Sequence, residues 1–449
     1  MMAGNDAEIF ASKLKEMGAQ TVHIGMVDAE GAFRHKAVHA DKAVKLVRDG
    51  YSFCEVLQYW TLDEVPFRET AFPDRPAFID VNSLRSYPFT PDAAFCIADF
   101  DGEFGRCSSR NVLRRLLGQL ADDGLTLYSA FEFEFNLFAE SRAQMAERGF
   151  TNPKSFAPEN RTYSLQTAAV YGDLIDGLKD TMTRLDVPLD ALHSELGPGF
   201  FEAPLTYSKG LRGADNAAIF KNFARAYFAR NGIVAGFMAK LSQSLPGNSG
   251  HLHVSLRDAE GRPVFADPSD PHGITDTCRH FIGGVNLLLP ELLGMVAGTV
   301  NSYKRLIPGT WAPTMPNWGV QNRTCAQRVI NDRPEATRVE FRVPAADANP
   351  YATLAFCLGA GLYGIRNRID PGAPVEGNAY ARSCDPAQVF PRDLGEAAER
   401  LAGSARACEI FGEDFVKTYA AMRREENAAY QKHLNEISPW EINRYLGIV

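Results

Sequence analysis

Polar and apolar residues alternate over Thr21–Val27 and again over Ala32–His39, and Asp28-Ala-Glu-Gly31 lies between them. A period of two with turn residues in the middle predicts a β-hairpin. An amphipathic helix precedes it, in the stretch MMAGNDAEIFASKLKEMG, and a short helix over residues 41–49 follows, ending at Gly50. The proline- and aspartate-rich stretch Pro66–Pro91 reads as a connection to one more strand, Ala93–Ala98. From Ser109 the period becomes helical, with Val112, Leu113, Leu116, Leu117 and Leu120 on one face and Gly124 closing the helix. Strands and helices then alternate to the end, and the residues from Leu394 onward read as amphipathic helices packing on the body of the protein and its neighbours. The pattern predicts an α+β protein: a small unit over residues 1–105 and one large domain over 106–449.

Composition narrows the class. The 449 residues are 45% hydrophobic, enough for two packed cores, and the formal charge is −8 with no run of basic residues. Disorder and nucleic-acid partners are disfavoured. The most apolar stretch, Gly283–Val300, is interrupted by Pro290 and Glu291, so neither a membrane span nor a signal peptide is expected. Eight cysteines without a CxxC pair fit a reducing, cytoplasmic setting.

Three predicted strands carry charge on one face. In Phe131-Glu-Phe-Glu-Phe135, Glu132 and Glu134 project together; in Gly250-His-Leu-His-Val-Ser255, so do His251, His253 and Ser255; in Arg338-Val-Glu-Phe-Arg-Val343, so do Arg338, Glu340 and Arg342. A single such strand is ordinarily a half-exposed one with solvated glutamates, but three of them point to one polar cavity. A fourth segment, Glu195-Leu-Gly-Pro-Gly-Phe-Phe-Glu202, adds two acids on a glycine-containing turn. Carboxylates gathered this closely would take up protons unless cations held them. The oxygen-rich set favours magnesium or manganese over zinc. Arg305, Arg323, Arg328, Arg338 and Arg342 supply forked donors for carboxylate or phosphate oxygens, and metals with arginines point to phosphoryl transfer.

Other letters mislead. Gly359-Ala-Gly-Leu-Tyr-Gly364 matches GxGxxG inside an apolar run with no strand before it, which reads as close helix packing; there is no P-loop. Cys325 and Cys357 read as small core residues. His23, His35, His39, His193, His272, His280 and His433 show no partner pattern and read as structural.

Five blocks, FEFEFNLF, ELGPGFFE, NSGHLHVSL, NSYKRLIPG with NRTCAQRV, and RVEFRVPAADANPY, together resemble the glutamine synthetase family over nearly the whole chain. The resemblance implies a small N-terminal β-grasp domain and a catalytic domain on a curved antiparallel sheet. It also implies a homo-oligomeric double ring with active sites between neighbouring subunits. Carried over by position, Glu134, Glu195 and Glu202 would hold one divalent metal and Glu132, His251 and Glu340 another. Arg305, Arg323 and Arg342, with Gly247, would bind L-glutamate. Tyr207, His253, Ser255, Arg328 and Arg338 would contact ATP, and Arg323, Arg328 and Glu195 would act in catalysis. The implied reaction phosphorylates the γ-carboxylate of glutamate, after which an amine displaces phosphate.

The sequence departs from the ammonia-using pattern where the amine would sit. RLIPG is followed by Thr310 and Trp311, where the family carries a glutamate. Phe53–Trp60 replaces a segment that usually presents an aspartate, and Phe200 stands for a glutamine. Tyr163, Phe200, Trp311, Tyr59 and Trp60 would therefore form a larger, less anionic amine pocket. The expected acceptor is an organic amine: an arylamine, already neutral, or a small alkylamine with Asp63 or Glu64 as its acid. Two rivals stay open, an ammonia-using glutamine synthetase and a non-catalytic family member kept for structural or regulatory work.

Overall fold

The computed structural model describes residues 2–448. The expected hairpin forms from β1 (Thr21–Val27) and β2 (Phe33–His39), and joins β3 (Tyr51–Cys54), β4 (Asp74–Ser86) and β5 (Ala93–Phe100) in the order β2-β1-β5-β4-β3. Only the β1–β5 pair is parallel. Helices Met2–Glu16 and Ala40–Asp49 cover one face, around a core that includes Phe10, Ile24, Leu46 and Ile79. The connection expected over Pro66–Pro91 contains a thirteen-residue strand, β4. Its alternation is broken by a register shift between Asp80 and Arg85, which hides the period of two, and its single proline lies near the strand's start.

A nine-stranded sheet carries the rest of the chain. Its strands are β6 (Thr126–Phe138), β7 (His193–Ser194), β8 (Phe200–Pro204), β9 (Ser208–Lys209), β10 (Val234–Gly236), β11 (Gly250–Arg257), β12 (Trp318–Val320), β13 (Gln327–Ile330) and β14 (Arg338–Phe341). The main path runs β12-β13-β14-β11-β6-β8-β7, antiparallel except for β12–β13, and β9 and β10 also pair with β6. Along β6 the phenylalanines Phe131, Phe133 and Phe135 are buried while Glu132 and Glu134 face the opposite side. Behind this apolar face lie helices Ser109–Asp122, Arg212–Arg230, Asp276–Leu292 and Pro350–Asn367.

The GxGxxG stretch lies inside the last of these helices. A Cβ on Gly364 would fall 2.1 Å from His280 O, so the glycines let two helices touch, and no dinucleotide turn forms. Cys325 and Cys357 are buried. The small sheet is tied to the helices behind the large one by the buried Arg110, which binds Asp80 and Asp99 of the small sheet and Asp215 of a helix; Tyr351 donates to Asp215 at 2.7 Å. Among the described residues no helix is long and apolar enough to cross a membrane.

Candidate active site

Strand register assembles the polar face. β11 sets His251 opposite Glu132, β14 sets Glu340 opposite His253, and β13 sets Arg328 opposite Glu340. On the other side β8 sets Glu202 opposite Glu134, and β7 sets His193 opposite Glu202. The face lines a cleft of about 460 Å³ that also takes in Tyr163, Glu195, Phe200, Gly247, Arg305, Trp311, Arg323, Arg338 and Arg342. A neighbouring cavity of about 490 Å³ shares Glu132, His253 and Arg338 with it and adds Tyr207 and Ser255. All but five of the candidate site residues singled out in the sequence line these two adjoining cavities; Asp63 and Glu64 line neither, and Glu64 pairs with Arg34. Glu340 lies just beneath the cleft wall, and Tyr59 and Trp60 line neither cavity. Tyr59 is 3% exposed and packs on Phe104 and Phe67; Trp60 lies under the Arg34 guanidinium.

Two groups of side chains could hold cations. Glu132, His251 and Glu340 offer donor atoms within 4.8 Å of one another, and so do His193, Glu195 and Glu202. His251 Nδ1 lies 3.1 Å from Glu132 and 3.4 Å from Glu340, so one imidazole nitrogen faces both carboxylates. Burial, then the positive charge of Arg342, lower His251 to about 4, leaving a neutral imidazole. Although burial opposes ionisation, hydrogen bonds from His251 and His253 keep Glu132 well below the usual carboxylate range. Against a similar opposition, Arg342 pulls Glu340 to about 2; Arg342 and Arg328 both bind it, Arg328 at 3.1 Å.

The second group is under greater strain. Burial, then the charge of Glu202, push Glu134 up to about 8, and burial raises Glu202 despite its bond to His193 at 3.2 Å. Divalent cations bound here would relieve this repulsion, and the carboxylate and imidazole donors suit magnesium or manganese. His193, read from sequence as structural, is a corner of this group. Its only signal is strand register, which LHSELG does not display.

Asn160, buried and unremarked in the sequence, shapes the turn carrying Glu195: its amide donates to Glu195 O, Gly197 O and Phe200 O at 3.1, 2.9 and 3.1 Å. At the mouth, Tyr163 and Trp311 are 65% and 59% exposed and both have positive φ, at 55° and 60°. Two exposed aromatic residues held in the left-handed region make this rim a candidate functional surface. Gly247 passes where a Cβ would fall 2.8 Å from the Arg305 side chain.

The sequence model of the glutamine synthetase catalytic domain matches residues 106–445. The chain belongs to the glutamine synthetase family. Glutamine synthetase-family enzymes are ATP-dependent ligases acting on glutamate with divalent cations, which this donor set fits. The chain is 34% identical to the type-1 glutamine synthetase 2 of Dictyostelium discoideum, over 99% of this chain and 87% of that protein. It is 33% identical to the glutamate–isopropylamine ligase of a Pseudomonas species, over 97% of both. A solved GmaS/ADP complex superimposes with a TM-score of 0.84 at 27% identity, over 97% of this chain and 99% of the other.

Proposed function

We propose that this glutamine synthetase-family ligase joins the γ-carboxylate of glutamate to an organic amine through a γ-glutamyl phosphate. The observation that carries the choice of acceptor is the cleft mouth, where Trp311 and Tyr163 present exposed rings. Ammonium is a small cation that a binding site must attract and deprotonate, whereas rings favour an amine with an apolar body. The likeness to the glutamate–isopropylamine ligase supports the same reading.

In this account Arg305 and Arg342 take the carboxylates of glutamate. Arg338, His253, Ser255 and Tyr207 hold ATP in the adjoining cavity, and Arg323 and Arg328 face the transferring phosphoryl group. Glu132, His251 and Glu340 form one cation site; Glu195 and Glu202, with Glu134 and His193, form the other. Bound there, magnesium or manganese would neutralise the phosphate oxygens and draw charge from the leaving nucleotide. A γ-carboxylate oxygen attacks the terminal phosphorus of ATP and ADP leaves. The amine nitrogen then bonds to the acyl carbon, phosphate departs with the bonding pair, and the nitrogen loses its extra proton. Glu195 and Tyr163 stand at the mouth where that amine enters.

We place the boundary between the small and catalytic domains near residues 105–106 and propose an assembly in rings. Ammonia as acceptor is the second reading, supported by the likeness to the Dictyostelium protein. Phosphate release with ATP, glutamate and a panel of aryl and alkyl amines tests the choice. An organic amine is expected to give the highest kcat/KM, and ammonium exceeding every organic amine overturns the proposal.

A further inference from the structure

Arg305 ends a short turn whose anchors lie outside the cleft. The turn runs from Gly298 through Ser302–Lys304, and Arg305 N donates to Ser302 O at 3.2 Å. Asp347, on the segment after β14, reaches it from below: one of its oxygens, Oδ2, accepts from Thr299 Oγ1 at 2.6 Å and from Ser302 Oγ at 2.8 Å. Ser302 is buried, and the two hydroxyls also bond to the turn's own amides, Ser302 N to Thr299 Oγ1 at 3.2 Å and Thr299 N to Ser302 Oγ at 3.3 Å. The other oxygen, Oδ1, is buried without a hydrogen-bond partner among the described residues. Lys221, itself buried, donates from Nζ to Ala348 O at 2.7 Å, and burial lowers its pKa to about 7.

This arrangement holds the backbone that presents Arg305. The guanidinium is buried, with two donors engaged by Val343 O at 2.9 Å and Arg342 O at 3.4 Å. The direction of its remaining donors is therefore set by where the turn places the Cα atom. Asp347 and Glu134 both act on Arg305 as nearby negative charges. Neither Asp347 nor Thr299 lines the cleft.

We propose that Asp347 is a positioning residue for glutamate: through Thr299 and Ser302 it fixes the Arg305 turn, and so sets the affinity for the amino-acid substrate without touching it. This rests on the proposed reading of Arg305 as a glutamate ligand. A displacement of a charged donor by a fraction of an ångström weakens a directional ion pair and leaves the nucleotide site alone.

The test compares Thr299→Val, Ser302→Ala, Asp347→Asn and the conservative Thr299→Ser in the full-length enzyme, measuring KM for glutamate, KM for ATP and the melting temperature. Thr299→Val keeps the side-chain shape and removes one hydroxyl, which avoids the folding defect that truncating Asp347 risks. It is expected to raise KM for glutamate about tenfold with KM for ATP unchanged, while Thr299→Ser behaves as wild type. An unchanged KM for glutamate in folded Thr299→Val and Ser302→Ala overturns the proposal. So does a parallel rise in both KM values that tracks a falling melting temperature, which is a merely structural effect. Arg305→Lys is the control: if it leaves KM for glutamate alone, the reading of Arg305 fails, whereas if it raises KM and Thr299→Val does not, only the positioning role fails.

Discussion

Glu134→Gln separates the electrostatic cost of the acidic cluster from its use. Burial and the facing Glu202 raise Glu134 to about 8 from an ordinary value of 4.5. In the unfolded chain the carboxyl ionises near its ordinary value, while the fold retains the proton, so between 4.5 and about 8 the folded state binds more protons. Stability is then highest below that window and falls as pH rises through it, by about 5 kcal/mol at full ionisation. Glutamine carries no charge and escapes the penalty. At roughly 2.1 cal/mol/K of unfolding entropy per residue, that energy is about 5 °C in melting temperature for a chain of this size. Cation-free Glu134→Gln, followed by thermal melting in a chelator, is therefore expected to melt above wild type near pH 9 and level with it near pH 5. Added magnesium should close roughly half of that gap at about pH 9, since a cation bound only by the native wild type stabilises it by about 2.7 kcal/mol at a hundredfold excess over Kd. A variant that melts below wild type in chelator at every pH, or equal gains from magnesium in both proteins, refutes the reasoning.

Three further substitutions probe other parts of the account. Trp311→Glu places a carboxylate at the cleft mouth and should raise the ratio of kcat/KM for ammonium over an organic amine by about tenfold; an unchanged ratio in steady-state assays argues against a role in acceptor choice. Arg338→Ala removes the donor beside His253, 3.2 Å away, and should raise KM for ATP about tenfold with KM for glutamate unchanged, measured by coupled assay. Arg110→Ala removes the cation shared by Asp80, Asp99 and Asp215 and leaves Asp80 and Asp99 with Arg114. It should cost about 3–5 kcal/mol, read as a melting temperature lowered by several degrees, with the kinetic constants of the remaining folded enzyme intact.

Much of the site could be read from sequence because a strand's period of two writes its faces into the order of residues. FEFEF, GHLHVS and RVEFRV each show which side chains share a face, and the structure brings those faces together. What the order of residues does not carry is register across strands far apart in the chain. His193 therefore gave no sign of Glu202, and Asp347 none of Thr299, since both partnerships arise only when distant segments align. Asn160 stayed hidden for the same reason: its three acceptors are backbone carbonyls, which no side-chain pattern reveals. β4 went unread because its register shift interrupts the alternation on which strand recognition depends.

The central claim is that a nucleotide's terminal phosphoryl group passes to the side-chain carboxyl of glutamate before nitrogen attacks. Glutamate labelled with oxygen-18 in its γ-carboxylate, turned over with ATP, magnesium and the preferred amine, tests it through mass spectrometry of the phosphate released. The account predicts one labelled oxygen transferred to phosphate in each turnover; phosphate that appears together with the amide yet carries no label contradicts it.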